Sequence, residues 1–145
     1  MLKIVLVSCV KRKLKVPAKA KDLYTSTLFQ SNMKYAHLLQ PDAIYILSAK
    51  YGLLDLDQEI NPYEMTLNTM STVERRVWSQ KVLDSLRHKA DLKSDLFIFL
   101  AGMNYRKYLF PELIHYEIPL EGLSFGEQLH ELKRRYRLES QAVDR

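Results

Sequence analysis

Three stretches of the chain are apolar without a break. Ile4-Val-Leu-Val7, Ala43-Ile-Tyr-Ile-Leu47 and Leu96-Phe-Ile-Phe-Leu100 are rich in β-branched or aromatic side chains, and each closes on small or polar residues, Ser8, Ser48 and Ala101-Gly102. A strand with one wet face alternates apolar and polar residues; an unbroken apolar run instead predicts a strand covered on both faces, as in a parallel sheet. Tyr116-Glu-Ile118, closed by Pro119, predicts a shorter fourth strand.

Between the runs lie segments of helical length. Thr27-x-x-Gln30 predicts a capped helix to about Leu39, with Leu28, Met33, Ala36 and Leu39 near one side and Pro41 beyond its end. Ser71-Thr-Val-Glu74 is a capping box, in which a hydroxyl and a carboxylate satisfy otherwise orphaned backbone donors. It predicts a helix to about Ala90 with an inward stripe of Val73, Val77, Trp78, Val82 and Leu86. A second capping box, Ser124-Phe-Gly-Glu127, opens the last helix, with Leu129, Leu132 and Tyr136 inward. Strands alternating with helices define an α/β class: a single-domain layered fold, residues 1–138, with a mostly parallel four-stranded central sheet flanked by helices. Residues 139–145 are expected to be a flexible tail.

Composition adds little to the fold but narrows the setting. The 145 residues, 47% hydrophobic and 27% charged, suit one domain with one buried core. The single cysteine, Cys9, excludes an internal disulfide framework. The first apolar run is too short for a membrane span and lacks the order of a signal peptide, so a cytoplasmic location without membrane contact is expected.

Charge changes the picture more. The formal net charge is +5, from 22 Lys and Arg against 17 Asp and Glu. Residues 10–21 hold six cations (Lys11, Arg12, Lys13, Lys15, Lys19, Lys21) and no acid. Taking those six from the 22 leaves 16 cations against 17 acids elsewhere, so the excess is local. A clustered patch is the footprint a polyanion needs, since both field and counterion release depend on clustering. The plainer alternative is solvated surface.

Chemistry converges on one edge of the expected sheet. The four glycines, Gly52, Gly102, Gly122 and Gly126, follow the carboxyl ends of the second, third and fourth strands, where ligands bind in open α/β sheets. Their neighbours are reactive or polar: Ser48, Lys50 and Tyr51; Asn104, Tyr105 and Arg106; Glu121 and Ser124. The first strand delivers Ser8 and Cys9, then the basic run. Phosphate-loop and dinucleotide glycine motifs are absent, as is a nucleophile elbow. The four histidines lack metal-ligand spacing, so neither metal nor other cofactor is expected. Lys50, Glu121 and Asp57, the last in the acidic connection Asp55–Tyr63, are the candidate catalytic residues. Ser8, Cys9, Lys11, Lys13, Ser48, Tyr51, Gly52, Tyr63, Gly102, Asn104 and Tyr105 are the candidate substrate-binding set. Rings beside cations suit a nucleobase stacked above a phosphate. They are also common as ordinary amphipathic packing.

Taken together, Ser8-Cys9-x-Lys11, Asp22-Leu-Tyr24-x-Ser26-x-Leu-Phe29, Ile46-Leu-Ser-Ala-Lys-Tyr-Gly-Leu-Leu54, Pro62-Tyr63, Ala101-Gly102-x-x-Tyr105 and Pro119-Leu-Glu-Gly-Leu123 resemble a bacterial and phage family of small α/β domains of unknown function. The resemblance covers about residues 2–132, and Leu-Ser-Ala-Lys-Tyr-Gly-Leu is its most specific string. It extends, as a distant kinship, to the YaaA peroxide-stress proteins and the uracil-DNA-glycosylase-like superfamily. What that kinship implies is DNA binding and cleavage of a base–sugar bond. It assigns no residue a role. The expected function is therefore a nucleic-acid-binding enzyme with DNA N-glycosylase-like hydrolysis. The alternatives are a non-catalytic DNA-binding stress-response protein and an enzyme on free nucleosides or nucleotides. The expected partner is nucleic acid, DNA more than RNA, or a nucleotide.

Overall fold

A computed structural model of the chain describes residues 1–8 and 13–143, with side chains to residue 138. The three unbroken apolar runs form the strands expected of them: β1 (Lys3–Ser8), then in chain order β2 (Ala18–Lys19), α1 (Ala20–Leu23), α2 (Thr27–Leu38) and β3 (Ala43–Ser48). They are followed by β4 (Gly52–Asp55), β5 (Glu59–Ile60), α3 (Thr72–Arg87), β6 (Leu96–Leu100), α4 (Met103–Arg106), β7 (His115–Glu117) and α5 (Phe125–Val143). Single 3-10 turns at Leu67–Thr69 and Phe110–Glu112 join the later elements.

The central sheet has the order β4-β3-β1-β6-β7, with β3, β1, β6 and β7 parallel. It holds five strands where the sequence pattern suggested four. The added one, β4, folds back antiparallel on β3, pairing Ser48 with Gly52 and Tyr45 with Asp55. That reversal needs Gly52, whose φ of +76° is open to glycine and strained for other residues. The ribbon of β2 and β5 stands apart from the sheet.

Side-chain alternation on the strands builds two cores. Val5, Val7, Ile44, Ile46, Ile98 and Leu100 pack on one face with Phe29, Tyr35 and Ala36 of α2 and Leu132 of α5. Ile4, Leu6, Leu47, Phe97 and Phe99 pack on the other with Trp78, Val82, Leu83 and Leu86 of α3. The apolar runs are thus continuous because each strand serves two covered faces.

Both capping boxes are present. Ser71 and Glu74 exchange hydrogen bonds at 3.1 Å in each direction. Ser124 and Glu127 do the same at 2.9 and 3.3 Å. The cap of α2 is Ser26, one residue earlier than the sequence suggests, its hydroxyl accepting from the Phe29 N–H. The α3 stripe is narrower than expected. Trp78, Val82 and Leu86 are buried, but Val73 and Val77 are 71% and 66% exposed. Val73 lies in the first turn, and both valines fall outside the arc that Ser79 and Leu83 complete. On α5, Leu132 is buried while Tyr136 is 41% exposed.

The α5 surface carries a compact charge cluster. Glu131 accepts hydrogen bonds from Arg134 and Arg135, and Arg135 also donates to the Tyr35 hydroxyl of α2 at 3.2 Å. Those bonds, from Arg134 first and Arg135 second, lower the Glu131 carboxyl from its ordinary 4.5 to about 2. A depressed carboxyl supports the fold above its unfolded pKa and loses that support as pH falls through the folded one. The cluster is therefore expected to hold above pH 4.5 and open toward pH 2. The carboxyl carbon shift of Glu131, followed by NMR against pH, should have its midpoint near 2; a midpoint near 4.5 would show that the cluster does not form in solution.

Candidate functional site

Chain order sets where a ligand fits. From β1 the chain crosses over α2 to β3 on one side, then over α3 to β6 on the other side of β1. The order thus reverses between β1 and β6, and a crevice opens where their carboxyl ends part. The Ser8 hydroxyl at the end of β1 accepts from the Gly102 N–H at 3.2 Å, pinning the two strand ends. Above this pair lies a cavity of about 810 Å³, within the usual range for small-molecule sites.

Each wall comes from a different element. Ser26, Thr27, Leu28, Phe29 and Asn32 come from the amino end of α2; Phe99, Leu100, Ala101 and Gly102 from the end of β6; Met103, Tyr105 and Arg106 from α4. Ile118, Leu120, Gly122 and Leu123 follow β7, Phe125, Gln128 and Leu129 lie on α5, and Asn68 reaches in from the 3-10 turn. The lining is largely apolar, and no Asp or Glu belongs to it among the described residues.

Two wall residues are buried polar groups with unmet hydrogen bonds. Asn32 is 3% exposed, and its Oδ1 has no partner. Arg106 is 7% exposed; Nη1 donates to the Ala101 carbonyl at 2.6 Å, whereas Nε has no partner. Burial lowers the Arg106 pKa, and the field of Glu121 offsets part of that. Among the described residues no carboxylate stands within ion-pair distance of this guanidinium. Buried polar groups are nearly always paired, so two such exceptions lining one cavity call for a reason. The amino end of α2 adds donors. The Phe29 N–H is taken by the Ser26 hydroxyl and that of Gln30 by the Ser26 carbonyl. Thr27 and Leu28 begin the first turn, where backbone N–H groups have no intrahelical acceptor, and both line the cavity.

The candidate residues divide between two places. Ser8, Gly102 and Tyr105 line the cavity, and Asn104 donates at 2.8 Å to the Oδ1 of Asn68, itself on the wall. Glu121 is exposed, but it stands between Leu120 and Gly122 of the lining. The second group sits at the end of β3. There the Ser48 hydroxyl donates to that of Tyr63 at 2.9 Å and accepts from the Tyr51 N–H at 3.0 Å. The Tyr63 and Tyr24 hydroxyls lie 2.6 Å apart, and Lys13 Nζ stands 4.5 Å from the Tyr63 ring centre. Gly52 only starts β4. Lys50 is on the surface, over the Tyr51 ring at 5.3 Å, and Asp57 is on the surface with Lys19 and Lys21 at 3.8 and 3.3 Å. None of this second group borders the cavity. Cys9 and Lys11 lie outside the described residues.

Fold and cavity together define a three-layer α/β/α domain with a ligand-sized pocket at the reversal point of its sheet. The chain belongs to the family of unknown function DUF6884, whose model matches residues 4–134. The matched span takes in every described wall of the cavity. No curated protein matches the chain. The more distant kinship with the YaaA proteins and the glycosylase-like superfamily finds no support in these comparisons. No helix among the described residues is long and apolar enough to cross a membrane. No cluster of His, Cys, Asp and Glu able to hold a metal ion occurs among them either.

Proposed function

We propose that the cavity holds a nucleobase and that the chain hydrolyses the base–sugar bond of a free nucleoside or nucleotide. One observation carries this reading: rings and amides line the same cavity. Phe29, Phe99 and Tyr105 border the cavity from the packed core, Phe125 adds an exposed ring, and Asn32, Asn68 and Gln128 carry both donors and acceptors. Flat faces hold a base by stacking, and amides read its edge.

In the proposed step the bond from the anomeric carbon to the base breaks, and the base leaves with the electron pair. The sugar becomes cationic, water adds its oxygen to that carbon, and one proton of the water is lost while the base gains one. Glu121 is the carboxylate assigned to the cationic sugar and the attacking water, because its neighbours on both sides line the cavity and its field reaches Arg106. Glu121→Gln is expected to slow base release by about 100-fold or more with little change in substrate affinity. A full rate in that variant would remove Glu121 from the reaction. Chromatography of free base after incubation with the common nucleosides and their 5′-monophosphates tests the reading itself. If no base is released and none of them binds, it falls.

A second reading presents the base on DNA, flipped from the strand. It is favoured by the basic segment of residues 10–21, which lies two positions after the cavity residue Ser8 in the sequence. Part of that charge is already matched within the fold, since Lys19 and Lys21 share Asp57 and Lys13 lies over Tyr63. Base release from duplex but not from mononucleosides would favour this reading. Duplex binding without release would favour a non-catalytic DNA-binding role.

A further inference from the structure

We infer that the ligand of the cavity carries a phosphate beside its base, held by Arg106 and the open amino end of α2. The inference rests on the nucleobase reading of the same cavity and names the form of the substrate: a nucleotide in preference to its nucleoside. Arg106 is the main support. The residue is only 7% exposed, lines the cavity, and keeps an Nε without a partner. A charge removed from water is costly unless it is paired, and among the described residues Arg106 makes no ion pair, the field of the exposed Glu121 offsetting only part of the cost. A bound anion removes that cost.

The amino end of α2 points the same way. It is a helix of 12 residues, and its first two residues, Thr27 and Leu28, both face the cavity. Their N–H groups and the positive end of the helix dipole favour an anion there. The Ser8 and Thr27 hydroxyls supply further donors in the lining, and Glu121, the acid whose field reaches Arg106, is exposed and outside that lining. A phosphate has the oxygens to take several of these donors at once, which a neutral sugar hydroxyl does not.

Isothermal titration of the full chain with adenosine, uridine, AMP, UMP, ribose 5-phosphate and inorganic phosphate tests this. Each monophosphate is expected to bind about tenfold or more tightly than its nucleoside, with inorganic phosphate competing. Arg106→Gln is expected to erase that preference, bringing each monophosphate to the affinity of its nucleoside. If this variant does not fold, the comparison on the unaltered chain decides alone. Equal affinity for nucleoside and monophosphate would overturn the inference and leave the base reading standing. Tight ribose 5-phosphate with no difference between it and the nucleotides would overturn the base reading and keep the anion site. Binding of none of the six probes would overturn both.

Discussion

Replacing Trp78 with alanine is expected to destabilise the fold by about 4 kcal/mol, through loss of a buried ring and the void it leaves. Trp78 is buried on the inner face of α3, and its indole N–H donates to the Ser48 carbonyl at 2.8 Å. Its ring meets Tyr105 edge-on, with centres 5.6 Å apart. One side chain thereby ties α3 to the end of β3 and to the helix that carries Arg106. Truncation also removes one hydrogen bond from the buried carbonyl of Ser48, which by itself costs about 1 kcal/mol. For a chain of this size the melting midpoint should fall by about 10 °C. Trp78→Phe keeps the ring packing but not the hydrogen bond, so it should cost about 1–2 kcal/mol. Urea denaturation of the two variants measures both values. A loss below about 1 kcal/mol for Trp78→Ala would show that neighbouring side chains close over the site.

The strands were the most legible part of the chain because two covered faces leave a signal that needs no partner to read. Ile4–Val7, Ala43–Leu47 and Leu96–Leu100 are apolar at every position for that reason, and the fold covers both sides of each. β4 left a weaker signal. Its Gly-Leu-Leu-Asp has two apolar residues at an edge, and only its pairing with β3 makes it a strand. Val73 and Val77 misled in the opposite way. They continue the α3 periodicity at a spacing of four, but which arc of a wide stripe faces the sheet is settled by where Trp78 and Leu83 fit.

The site was legible by region and not by residue. The carboxyl edge of the sheet follows from strand order, and Ser8, Gly102 and Tyr105 were reached through it. The split between the cavity and the Ser48–Tyr63–Tyr24 network was hidden, because both follow strand ends. What separates them is the reversal of strand order beside β1, a property of connections that local composition does not carry. Asn32 did leave a trace. It sits between Phe29 and the Tyr35-Ala36 pair on the buried side of α2, a polar residue where helical periodicity calls for an apolar one.

Asn32→Leu is expected to separate stability from function. The asparagine is almost fully buried, and its Oδ1 is unmatched, so the folded chain bears a desolvation cost that leucine does not have. Leucine is also the better helix former by about 0.5 kcal/mol. The variant should therefore be as stable as the parent or more so by about 1 kcal/mol, provided the larger side chain is accepted at the cavity wall. Ligand affinity should fall about 10- to 100-fold, since a base edge that met the amide now faces hydrocarbon. Asn32→Asp makes the complementary change. It keeps the shape but sets a carboxylate on a wall assigned to an anion, so nucleotide affinity should drop further than nucleoside affinity. Denaturation midpoints and titrations with AMP and adenosine read the two effects separately. Loss of stability and binding together in Asn32→Leu would make Asn32 a packing residue. A stable variant that binds as before would detach the amide from the ligand. A stable variant that no longer binds is what a polar group retained in the wall for a ligand requires, because residues kept for function are those the fold alone does not favour.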